Sequence, residues 1–297
     1  MDFDRPNTTR RHLLRTVTGT TVAGVTVSAL TATVSGGRAG RGTDTVTFHE
    51  SWTTDGLSCD PLDDEGVEYV SVDAASEAQN VVLAKTDEAS ESYVRDVFEA
   101  IKPAFTYIYE ETGIPWHLTL VDVHRTIDQQ NTRADVIESH FEQTGAYVFV
   151  QEIEAYNGLY NGTLEGTEFG AWDGRADCLI STDLNRPDCT LIHEVLHAYL
   201  RLGAIDTWFG VNTDHLLGQV IEDDDFGGSP VDRQTGTGDR RLRRTVMATT
   251  KDEAVRYGCY EIQEYTGLRT RKPSECALDV LEISGETYRE QRNGEES

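Results

Sequence analysis

The stretch CTLIHEVLHAYL, Cys189 to Leu200, holds two histidines four residues apart, with a glutamate directly after the first. From Thr190 to Leu200, Glu194 is the only acidic or basic residue apart from the histidines. The chain has 52 acidic residues, so a solvated helix in it would carry more charge than this. The stretch is therefore predicted to be a buried helix from about Asp188 to Leu202, entered through the turn residues Asn185-Arg186-Pro187-Asp188 and stopped by Gly203. Positions i and i+4 lie one turn apart on one helix face, so His193 and His197 aim two imidazoles at one place. Buried polar groups need partners, and a shared cation would satisfy both rings.

Neutral imidazole is a good ligand for zinc, which prefers four tetrahedral ligands. Glu194 leans beside such a metal without ligating it. That placement suits a general base that takes a proton from a water acidified by the metal and returns it to a leaving amine. Two histidines and a water leave one ligand to find. His215 is the only histidine after His197 and is the economical third ligand. Glu222 is its rival, on a second short helix, with Asp206 and Asp214 behind it. The acidic run from Glu222 to Asp225 is otherwise a solvated surface. Met247 is one of two methionines and sits in the apolar turn Thr245-Val246-Met247-Ala248-Thr249.

HEVLH followed by a later histidine and then this methionine turn resembles the metzincin zinc peptidases. His193, Glu194 and His197 match that family's motif directly, and Met247 matches by order. Leu200 stands where the family has glycine, His215 comes later than the family spacing, and Thr249 replaces a tyrosine that often follows the methionine. Tyr257 and Tyr260 are the alternatives for that tyrosine's role. The resemblance implies an α/β (α+β) fold: a twisted mixed sheet with helices, the active-site helix after the last strand, and an irregular C-terminal subdomain. It also implies a Zn2+ cofactor and a peptide or protein substrate. Two other classes remain open: a zinc-binding surface protein without turnover, and a structural protein with a chance motif.

Upstream of the helix the pattern alternates between strand and helix. Strands are predicted at Thr45 to Trp52, Glu68 to Ala74, Asn80 to Lys85, Trp116 to Val123, Ala146 to Ile153 and Asp177 to Leu184. From Glu91 to Thr112 apolar residues recur at helical spacing, placing Val94, Val97, Phe98, Ile101, Phe105 and Ile108 on one face, with Pro103 as a possible kink. A second helix begins near Asn131 and is stopped by Gly145. Asn157 to Gly174 has five glycines and is predicted to be a loop. It contains Asn161-Gly162-Thr163, an acceptor triplet for N-glycosylation, and a peptide could add as a strand to the nearby sheet edge. After Gly203 the chain is expected to be irregular, apart from a helical segment near Asp252 to Thr266, with a frayed end. The organisation is therefore residues 1–40 as a signal, 41–80 as a polar segment with short strands, and 81–290 as the catalytic domain.

At the N-terminus, Thr9-Arg10-Arg11-His12-Leu13-Leu14 resembles a twin-arginine export signal. The uncharged stretch that follows, Thr16 to Val34, is too rich in threonine and glycine for a good membrane helix, so cleavage near Ser35 to Arg41 is expected. No stable membrane span then remains, and the product is secreted or at the cell surface. The net charge is −26 over 297 residues, spread along the chain. Only four basic residues are lysine (Lys85, Lys102, Lys251 and Lys272) and the rest are arginine. This balance points to a halophile, whose strong salt screens carboxylate repulsion. It also repels phosphate, so nucleic acid is not an expected partner. The 38% hydrophobic content is enough for a core. Five cysteines in an exported chain are expected to pair, Cys178 with Cys189 and Cys259 with Cys276, leaving Cys59 over.

Overall fold

The computed structural model describes residues 33–35, 45–54, 78–127, 130–141, 143–152, 159–163, 169–182, 186–200, 217–218, 220–223, 241–247 and 269–295. The fold is mixed α/β, built on a seven-stranded sheet. In chain order its strands are β1 (Thr33–Ser35), β2 (Thr45–Thr53), β3 (Gln79–Lys85), β4 (Trp116–Asp122), β5 (Gly145–Gln151), β6 (Leu159–Thr163) and β7 (Arg175–Ser181). In space they run β1-β2-β4-β3-β5-β7-β6. The four central strands are parallel. β1 and β2 at one side and β6 at the other are antiparallel to their neighbours. β2 joins the main sheet, so the segment 41–80 contributes to the same sheet as the predicted catalytic domain. β1 lies inside the segment read as a signal and pairs with β2 in the full-length chain.

Among the described residues four α-helices accompany the sheet: α1 (Glu91–Thr112), α2 (Gln130–His140), α3 (Pro187–Tyr199) and α4 (Glu275–Glu295). β4 and β5 are buried along their whole length, as expected of parallel strands covered on both faces. β3 shows how the layers form. Val81 and Leu83 face a core shared with α1, α3 and α4, while Val82 and Ala84 face Val136, Ile137 and Phe141 under α2. α1 has the predicted apolar face: Val94, Val97, Phe98, Ile101, Phe105 and Ile108 are all buried. Ser90 caps its start by accepting from the Tyr93 amide, and Gly113 ends it in a left-handed conformation. Pro103 lies within the helix on its exposed side, and the helix continues through it.

Several predicted boundaries change. Gly145 does not stop α2, which ends at His140; it opens β5 instead. Its φ is +149°, and a Cβ there would stand 2.7 Å from the Asn80 carbonyl oxygen, so glycine lets β5 approach β3. The predicted loop from Asn157 contains the edge strand β6. The β6–β7 register shifts between Tyr160 and Thr163, which places Asn161 and Gly162 at an irregularity typical of sheet edges. The largest difference is α4. The chain end is not frayed: a helix runs from Glu275 to Glu295. Ser274 caps it by accepting from the Ala277 amide. It buries Cys276, Ala277, Val280, Leu281 and Ser284, small and aliphatic residues at helical spacing within an acidic background. The strand predicted at Glu68 and the helix predicted near Asp252 lie outside the described residues. Among the described residues no helix is long and apolar enough to cross a membrane.

Candidate metal centre

α3 follows β7 and packs against the sheet and α1. Its residues are buried except Thr190 and His197, which are half-buried. This explains the lack of charge in the sequence stretch: the helix is a core element. The helix ends at Tyr199, earlier than predicted from Gly203, because tertiary contacts cap it. The Trp172 indole N–H donates to the Tyr199 carbonyl at 2.8 Å and satisfies one of the carbonyls left open at a helix end. Gly170 reaches this end with φ +63°, in a short turn of 3-10 helix (Gly170–Trp172).

The two histidines converge as their spacing predicts. His193 Nε2 and His197 Nε2 are 2.8 Å apart, with the rings edge to face. On its other side, the His193 Nδ1–H donates to the Val246 carbonyl at 2.8 Å. That bond sets the tautomer: it places the proton on Nδ1 and leaves the Nε2 lone pair pointing toward His197. Two imidazole nitrogens bound to one tetrahedral zinc at 2.0–2.1 Å would be about 3.3 Å apart. A cation between the rings thus replaces their mutual hydrogen bond with a separation of only about half an ångström more. The donor set fits zinc in type, direction and burial.

Glu194 is 6% exposed, beside the pair on α3. Its carboxylate is near enough to Cys178 on β7 to affect that thiol: burial pushes the Cys178 pKa well up, and the charges of Glu194 and Asp177 add to the push. Val246 and Met247 lie in a turn, and Thr245, Val246 and Met247 are all fully buried, while Ala248 and Thr249 lie outside the described residues. The sequence does not reveal that the Val246 carbonyl orients a histidine, because any residue can supply a carbonyl.

His215, Asp206, Asp214, Tyr257 and Tyr260 lie outside the described residues. Leu217, two positions after His215, is fully buried in the core that contains α3. Its carbonyl accepts from the Ser274 hydroxyl. Glu222, predicted on a short helix, instead lies on strand β8 (Val220–Asp223), which pairs antiparallel with β9 (Arg241–Arg244). The consecutive β-branched Val220 and Ile221 favour strand over helix.

The predicted Cys178–Cys189 bond does not form: both are buried free thiols. Cys178 faces the core from β7, whereas the Cys189 Sγ points to the Arg269 carbonyl. Cys276 is disulfide-bonded; Cys59 and Cys259 lie outside the described residues. A further cluster went unnoticed in the sequence. Asp87, Asp122 and His124 offer ligand atoms within 4.8 Å of one another. Asp122 already holds the Lys85 ammonium at 2.7 Å, and Asp87 and His124 are exposed. No known protein family matches the chain, and no curated protein matches it in sequence.

Proposed function

We propose that the chain is an exported zinc-dependent metallopeptidase, metzincin-like in layout. His193, His197 and His215 would hold the metal, and Glu194 would act as general base. One observation carries this reading: two Nε2 atoms converge at 2.8 Å on a buried helix, while the first ring is oriented by the carbonyl of a turn that contains Met247. The position of Leu217 supports His215, because it brings the chain back into the same core two residues later.

Bound zinc would supply a Lewis acid that acidifies water and polarises a carbonyl. The protein's own residues would do the rest. Glu194 takes a proton from the attacking water and delivers it to the departing amine nitrogen. The low exposure of Glu194 keeps its charge effective by limiting solvent screening. The Val246 carbonyl keeps the His193 proton on Nδ1, so Nε2 remains a ligand. Among the described residues β6 ends the sheet, pairs with β7 alone, and packs beside α3, which supports a peptide site there. An extended peptide could add to its outer side through backbone hydrogen bonds. The twin-arginine-like start and the acid excess support export into a salty medium.

Metal content and peptide hydrolysis test the reading on protein folded in high salt. The wild type should hold about one zinc per chain. His193→Ala and His215→Ala should lose it, and Glu194→Gln should keep it while losing hydrolysis. If zinc is retained in His215→Ala, the third ligand moves to Glu222 or an aspartate. If Glu194→Gln leaves no measurable change, a binding protein without turnover remains. A wild type that takes up no supplied zinc ends the metal reading.

A further inference from the structure

Beyond the histidine pair, the segment from Arg269 to Ser274 ties the site together. The Arg269 carbonyl accepts from Arg186 Nη1 at 3.0 Å, just before α3 begins. The Lys272 carbonyl accepts from the Val246 amide at 3.0 Å. Val246 in turn holds His193 through its own carbonyl. The strap therefore grips the same residue, Val246, whose carbonyl decides the His193 tautomer.

The strap is pinned at Arg271, which is 1% exposed. Arg271 Nη1 donates to the Ala100 carbonyl of α1 at 2.5 Å. Its Nε lies 3.7 Å from Asp188 Oδ2 in the first turn of α3. Asp188 is fully buried and is also held by Arg186, from Nε at 3.2 Å and Nη2 at 3.3 Å. A buried carboxylate between two guanidiniums near a helix N-terminus is strongly directional, because each charge needs the others to offset its desolvation. Arg271 thus links α1, α3 and the strap.

We propose that Arg271 is a positioning residue for the histidine pair. Locked between the Ala100 carbonyl and Asp188, it fixes the strap, the strap fixes Val246, and the Val246 carbonyl fixes which His193 nitrogen carries the proton. Its consequence for function rests on the metal-centre reading above, but the positioning itself does not. Partners that orient a ligand in this way typically change metal affinity by 10–100-fold when removed.

The test uses the 15N signals of the His193 ring in the metal-free full chain, identified by their absence in His193→Gln, together with zinc affinity. The wild type should show a protonated Nδ1 and a bare Nε2. Arg271→Met should give a mixture of tautomers and weaken zinc by about tenfold or more. Arg271→Lys keeps a cation beside Asp188 and should recover part of both. Arg133→Met serves as the control. It breaks a buried ion pair with Asp177 on the α2 side of the sheet, so it should lower stability and leave both readouts unchanged. If Arg271→Met does not fold, Arg186→Met removes the other grip on Asp188 and the bond to Arg269, and carries the same expectation. Wild-type tautomer and affinity in a folded Arg271→Met would overturn the proposal, as would an equal shift in Arg133→Met. A tautomer shift in a protein that binds no zinc would support the strap and remove the metal reading.

Discussion

The His193 Nδ1–H donates to the Val246 carbonyl at 2.8 Å, across 53 residues of chain. This bond aims Nε2 at His197 and couples the site to a turn that the sequence places far away. If the pair is a zinc site, metal binding must stabilise the fold, because the unfolded chain has no such site. Zinc at about 100 times its dissociation constant should add about 2.7 kcal/mol. Urea unfolding with and without zinc measures this. His193→Ala should abolish the increment, and an equal increment in that variant would place the metal elsewhere.

Gly170 should not tolerate a side chain. Its φ is +63°, and a Cβ would fall 2.4 Å from the Ala198 carbonyl oxygen. Backbone at the end of α3 would have to move. Gly170→Ala should cost about 2 kcal/mol or more, from left-handed strain plus the clash. The shift in urea midpoint at constant slope gives the cost. A change near zero would mean that the turn does not sit against α3.

His49 should make the protein acid-sensitive near neutrality. Burial lowers its pKa below 6.5, and Arg95 lowers it further. The unfolded chain then binds a proton at a pH where the folded chain does not. Its contribution to stability is complete above 6.5 and is lost as pH falls through that value toward the lower folded pKa. His49→Gln should flatten this part of the profile. Unfolding curves from pH 8 to 5 for both proteins test it; parallel curves would count against it.

Salt should stabilise the protein. The net charge of −26 makes the folded state repel itself, and screening relieves that repulsion. The thermal midpoint should rise steadily as KCl increases from low concentration into the molar range. A flat or falling midpoint would contradict salt adaptation.

Legibility from sequence followed the range of the interaction. The burial of α3, the convergence of His193 and His197, and the apolar face of α1 were readable because each depends on residues within two turns, where helical spacing is fixed by geometry. The strands β3, β4 and β5 were readable by alternation and β-branching, which are local, but their parallel pairing was not. α4 was missed because its apolar positions are small residues in an acidic background. β6 was missed because the glycines around it resemble a loop, and its pairing with β7 is made by Leu159, Tyr160 and Thr163.

The sequence by itself determined the candidate residues: two imidazoles and a carboxylate on one buried helix, in a strongly acidic chain. The tertiary structure alone decided what surrounds them. It separated Cys178 from Cys189, ended α3 at Tyr199 with the Trp172 indole, put Glu222 on a strand, and brought Val246 to His193 and Arg271 to Asp188. The physical reason is that these last contacts are made by backbone carbonyls and distant charges. A carbonyl has no letter in the sequence, and a partner many residues away leaves no periodicity. Only the folded chain can bring such groups within hydrogen-bonding range.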